Sequence, residues 1–266
     1  MIFSSYEFIF GFLPAALLGY YLLSFFGKTA ISKAWLVLAS LFFYGFWDWS
    51  YLYLIGGSIL VNFALGRLQL GTSIKTRKKL ILALAIIFNL LLLGYFKYLN
   101  FFLDNLAFIT DGYQIEKIIL PIGLSFYTFQ QISYQVDAFA NRADKYNFLD
   151  YSLFVSFFPQ LIAGPIVHHS EMLPQFTKKT FLTPRARNIL IGLCIFAIGV
   201  FKKSVLADTF AGFANPVFDG AQAGDVTLGF MSSWTGALAY GFQLYFDFSG
   251  YSDMAVGLGA MFGIKL

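Results

Sequence analysis

Charge, cysteine and histidine are all scarce in this chain. Only 12% of its 266 residues are charged, against 58% hydrophobic, and the mean hydropathy is +0.69. A single soluble core cannot absorb so much apolar surface, so a bilayer must take most of it. The one cysteine, Cys194, excludes an intrachain disulfide, and its setting in ILIGLCIFAIGV predicts a buried, inert thiol. Two histidines are present, His168 and His169, with Glu171 beside them. A metal site needs three or four converging ligands, whereas neighbours on a helix point about 100° apart, so no metal is expected from this pair. Absent too are a Walker loop, a G-x-G-x-x-G between strand and helix, and a G-x-S-x-G elbow, which leaves nucleotide and serine-hydrolase chemistry unsupported. The net charge of +4 does not point to nucleic acid, because basic residues in a membrane protein mark cytoplasmic loops.

What is abundant is aromatic surface. The 34 Phe, 16 Tyr and 4 Trp exceed what an interfacial belt needs, so aromatic side chains must also pack between helices or line a cavity. Apolar stretches fall at about 8–26, 34–47, 51–68, 80–103, 118–139, 149–167, 189–205 and 226–246, and a ninth begins near Met254. No soluble domain or internal repeat stands out, so the chain reads as one all-α, polytopic, membrane-embedded bundle. MIFSSYEF carries no basic residue ahead of the first stretch, which marks a retained span and not a cleaved signal peptide.

Loop charge sets the orientation. Lys28 and Lys33, then Arg67, Lys75, Arg77, Lys78 and Lys79, flank alternate loops, while Asp48, Asp104, Asp111 and Glu116 flank the others; the N-terminus is therefore expected outside. The alternation breaks at 149–167, because Arg142 and Lys145 before it and Lys178, Lys179, Arg185 and Arg187 after it all favour the cytoplasm. Pro159 and the Gly164-Pro165 pair interrupt helix there, so this segment is expected to enter and return on one side, with an ordinary kinked span as the alternative. Such broken backbone survives at membrane depth only where protein or water covers it.

Polar residues concentrate in two places. In LPIGLSFYTFQQISYQVDAF, Gln130, Tyr134 and Asp137 recur at spacings of four and three, which stacks them on one helical face with Tyr127 a turn above. The stripe fits either the wall of a substrate passage or interhelical hydrogen bonding. In YFDFSGYSDMAVGLGAMFGIKL, Asp247 and Asp253 are expected to line a wet cavity or pair with neighbours, since an intramembrane carboxylate is costly against lipid. The two histidines, at the mouth of the broken segment, fit loop anchoring better than general-base chemistry, as no nucleophile lies nearby in sequence.

These two segments, together with FVSFFPQLIAGPIVHHSEMLPQF between them, resemble the membrane-bound O-acyltransferase family, in particular its bacterial alginate O-acetyltransferase branch. The resemblance implies a helical bundle around a central funnel in the bacterial inner membrane. It also implies transfer of an acyl group, most simply acetyl, to hydroxyls of an extracytoplasmic polysaccharide. The donor would be acetyl-CoA or an acyl-carrying protein, acting with extracytoplasmic partner proteins and without a bound cofactor. Carried over as funnel or core positions are Gln130, Tyr134, Asp137, Pro159, Gln160, Gly164, Pro165, His168, Asp247, Ser249, Tyr251 and Asp253. The family's catalytic histidine sits in a Trp-rich stretch downstream of FSGYSDMA, which residues 1–266 do not contain, so the chain is expected to be an N-terminal piece, inactive alone. A polysaccharide exporter or transporter is the alternative, but the inverted repeat that would favour it is not found.

Overall fold

A computed structural model describes residues 1–27, 29–106, 118–162, 164–165, 167–177, 185–224 and 229–266. Among these residues all regular structure is helical, and no strand occurs. The loop charges Lys28, Asp111, Glu116, Lys178 and Lys179 lie outside the described residues. Among the described residues, four stretches are long and apolar enough to cross a membrane: Glu7–Phe25, Ser50–Gly71, Lys75–Asn105 and Ala186–Ala223. At most 28% of the most apolar window of each is buried within the protein, so their flanks present apolar surface outward, as lipid solvation requires. The chain divides into two compact units.

One unit comprises 27–162 and 166–178. It contains α2 (Thr29–Gly45), α3 (Ser50–Gly71), α4 (Lys75–Leu106), α5 (Leu124–Phe139), α6 (Phe148–Ser156), α7 (Phe158–Leu161) and α8 (His169–Met172). Its centre is the segment expected to be broken. Residues 151–161 are all buried, and helix stops at Phe157 (φ −52°, ψ 107°) before restarting as α7. The interruption lies two residues earlier than Pro159, which instead occupies the first turn of α7, where its missing N–H costs nothing. The first N–H of α7, from Phe158, donates to Ser40 Oγ at 3.1 Å. Upstream, Asn147 caps α6 by accepting the Asp150 N–H at 2.8 Å, and the Asp150 carboxylate takes a 2.7 Å bond from Lys33 of α2. Lys33 is thus a buried ion-pair partner and not a loop cation.

Helix α5 begins only at Leu124, later than the apolar stretch from 118 suggested, because Gly123 adopts a left-handed φ of 77°. A Cβ there would lie 2.6 Å from the Leu161 carbonyl oxygen, so glycine is also demanded by space. α5 is joined to its neighbours by buried amides. Gln131 donates to Ser58 Oγ (3.0 Å) and Gln135 to the Asn62 carbonyl (2.7 Å), while the side chains of Asn62 and Asn89 bond reciprocally at 2.7 and 3.2 Å. This is hydrogen-bonding glue of the kind that holds helices where water is absent.

The other unit comprises 1–26, 163–165 and 179–266. A π-helical turn at Glu7–Phe12 leads into α1 (Leu13–Phe25); α9 (Ala186–Phe201) passes through a second π-helical turn, Lys202–Ala207, into α10 (Asp208–Ala223); and α11 runs from Phe230 to Met261. Two expectations are corrected here. The apolar stretch ending near 205 continues to Ala223 as helix, and the stretches 226–246 and 254 onward are one 32-residue helix. The glycines of FSGYSDMAVG do not break α11 because they face α9 at backbone contact. A Cβ on Gly250 or Gly257 would come within 2.8 or 2.6 Å of the carbonyl oxygens of Gly199 and Gly192. Cys194 is also corrected: it is exposed, not buried, because it stands roughly 200° around α9 from the buried Gly192.

Candidate functional site

The polar stripe on α5 comes together with the two histidines. Tyr134 is buried against Gly66 of α3, where an added Cβ would lie 2.6 Å from its ring, and it packs 4.9 Å from the Tyr151 ring. One turn further, Asp137 Oδ2 lies 2.8 Å from His168 Nε2 and 3.0 Å from His169 Nε2. The helical-neighbour argument against such convergence fails for a local reason. His168 is the N-cap of α8, in extended backbone (φ −76°, ψ 144°), and only His169 is helical, so the rings lie 4.5 Å apart and 36° from parallel.

The hydrogen bonds fix how these groups are used. His168 Nδ1 sits 2.8 Å from Ser170 Oγ and also accepts from the Ser170 N–H, which leaves its Nε2–H to donate to Asp137. His169 donates from Nε2 to the same oxygen, and its Nδ1 is buried without a hydrogen-bond partner among the described residues. Burial pushes the His169 pKa down against the opposing pull of Asp137, consistent with a neutral ring whose second nitrogen has no acceptor for a proton. Both nitrogens of His168 are engaged, so neither lone pair is free for a substrate hydroxyl.

Gln130, buried one turn before Tyr134, lines a cavity of about 80 Å³ with Phe129, Ser133, Phe154, Val167, His168 and His169. Its amide has no hydrogen-bond partner among the described residues. Gln130 therefore faces a cavity, while its neighbours Gln131 and Gln135 supply the interhelical bonds. Of the other expected positions on the broken segment, Pro159 and Gln160 are buried in α7, Gly164 is buried and Pro165 half-buried.

In the second unit the acidic residues of α11 meet lysines. Lys202 Nζ donates to Asp253 Oδ2 at 2.6 Å and to Ser249 Oγ at 3.1 Å; Lys203 Nζ pairs with Asp247 Oδ1 at 2.8 Å and Asp208 Oδ1 at 3.2 Å. The π-helical turn starting at Lys202 locally changes the helical register where two consecutive lysines both pair with carboxylates. Tyr251 stacks on Phe3, with centroids 4.6 Å apart. Asp247, Ser249 and Asp253 thus form a neutralised polar layer. Sequence reading missed the two lysines, and the only signal that could have found them is their own improbability inside an apolar helix.

Fold and site together define a polytopic, all-helical membrane protein with buried polar clusters on a broken segment. The sequence matches the membrane-bound O-acyltransferase family over residues 132–266, and the chain belongs to that family. It is 46% identical to the peptidoglycan O-acetyltransferase of Helicobacter pylori and 39% identical to a probable alginate O-acetylase of Pseudomonas aeruginosa. Each match covers 100% of this chain but only 55% and 50% of those proteins, so the chain spans about half the length of the curated relatives it matches. A teichoic acid D-alanyltransferase of Streptococcus thermophilus is 27% identical over 56% of this chain and 36% of its own length.

Proposed function

We propose that the protein acts as an O-acetyltransferase that delivers acetyl groups to hydroxyls of an extracytoplasmic polysaccharide, from the bacterial inner membrane. The observation that carries the reading is similarity along the entire chain to two proteins whose names share acetyl transfer to a glycan, one peptidoglycan and one alginate. The apolar spans support it physically, because a donor made in the cytoplasm must reach an acceptor outside, and a membrane-embedded bundle lets the small acyl group cross instead of the polymer. The donor would be acetyl-CoA or an acyl-carrying protein, with extracytoplasmic proteins presenting the acceptor. No catalytic base is assigned within residues 1–266.

The test is deletion of the full-length gene followed by complementation, with base-released acetate measured per sugar in purified peptidoglycan and in exported polysaccharide. Transferase function requires acetate per sugar to fall in one polymer while the amount of polymer holds steady. A fall in exported polymer with unchanged acetate per sugar would establish the export reading instead.

A further inference from the structure

We propose that Asp137, His168 and His169 form a binding site for a first-row divalent transition metal, tying the segment around α8 to the C-terminal end of α5. The inference is independent of acyl transfer. Three potential ligand atoms, one from each residue, lie within 4.8 Å of one another, and both histidine Nε2 atoms already converge on a single carboxylate oxygen. Two imidazoles and one carboxylate suit zinc and its neighbours, and do not suit magnesium or calcium, which prefer oxygen alone.

The geometry needs little adjustment. Bonds of about 2.0–2.2 Å at tetrahedral angles place ligand atoms roughly 3.3–3.5 Å apart, so the present 2.8 and 3.0 Å separations must open by about half an ångström. His168 can make that movement, since 43% of its side chain is exposed, and the same exposure gives the ion an entry path. With three protein ligands, one coordination position remains for water. A cavity of about 80 Å³ adjoins both rings, and the uncommitted Gln130 amide and the Ser133 side chain line it, so a bound water would find polar partners there.

Protons balance in the exchange. The metal replaces the two Nε2–H donors on Asp137; each ring is neutral, so its single proton passes from Nε2 to Nδ1 by exchange with solvent and none is released on balance. His168 then donates from Nδ1 to Ser170 Oγ, already 2.8 Å away, the outer support that a ligating histidine normally has. Among the described residues His169 has no such partner for its buried Nδ1. Lack of that support costs roughly 10–100-fold in affinity, so the site is expected to bind in the micromolar range and not as a permanent structural zinc.

The experiment uses the full-length protein, purified in detergent, stripped with chelator and titrated with Zn²⁺ and separately with Co²⁺. Expected is one ion per chain, with visible Co²⁺ absorption of a four- or five-coordinate site. His168→Ala should weaken binding at least about 100-fold, more than loss of outer support does, and Asp137→Asn should abolish the Co²⁺ spectrum. His168 is half-exposed, so its variant leaves the core in place; if the Asp137 variant fails to fold, the His168 variant decides alone. Failure to bind either ion at micromolar concentration, or equal binding by wild type and the His168 variant, overturns the proposal.

Discussion

Lys33 shows how far a residue's role is set by a partner distant in sequence. Its ammonium and the Asp150 carboxylate, 117 residues apart, are both nearly fully buried and meet at 2.7 Å. Such a pair is weak evidence for net stability, yet removing one member leaves an uncompensated charge in a dry site, at a cost of about 3–5 kcal/mol. Lys33→Met is therefore expected to reduce the thermal stability of the detergent-solubilised protein strongly. Lys33→Met combined with Asp150→Leu should recover much of the loss, and a melting series on the three proteins reads the difference. Tyr134 makes a second case. Its ring fills the space above Gly66, so Gly66→Val should displace it and disturb the adjoining Asp137–histidine cluster, whereas Gly56→Ala, with nothing within 4 Å of the new Cβ, should not.

At the scale of elements, legibility in the sequence followed the range of the interaction. The long apolar helices could be read because length and hydropathy belong to each segment alone, and the interruption within 149–167 because Pro and Gly act locally. The continuity of α11 could not be read. Its glycines look like helix breakers until α9 is placed against them, and then they are the contact. The candidate site divides the same way. The Gln130, Tyr134 and Asp137 face followed from helical spacing, but the convergence of His168 and His169 depends on one extended cap residue that no periodicity announces. Contact between α9 and α11 yields a matched pair of outcomes. Gly199→Val places a side chain 2.6 Å from the Gly250 carbonyl oxygen and is expected to abolish the monodisperse folded fraction. Gly241→Ala, in the same α11 but in open space, should be neutral or stabilise by about 0.4–1 kcal/mol through the unfolded chain. Size-exclusion profiles of the two variants check both.

For the molecule as a whole, the position of its cations predicts an orientation in the bilayer. α3 ends at Gly71 and α4 starts at Lys75, so two consecutive crossings meet in a turn of three residues, and Lys75, Arg77, Lys78 and Lys79 crowd the first turn and a half of α4. A cluster of that sign beside a short turn favours the cytoplasmic side, so α3 is expected to run inward and α4 outward. Counting back through α2 and α1, each taken as one crossing, gives an N-terminus expected on the outer face. Asp48, between α2 and α3, is then expected outside as well, where a carboxylate carries no orientation penalty. The orientation matters for the proposed chemistry, because it decides which loops could meet a cytoplasmic acyl donor and which an external glycan. A background with Cys194→Ser, needed because that thiol is exposed, allows single probes at Ser4→Cys and Ser73→Cys to be compared in intact cells. An impermeant maleimide should modify the first directly and the second only after the membrane is permeabilised. Direct modification at position 73 with protection at position 4 would invert the topology and place the α3–α4 turn on the acceptor side.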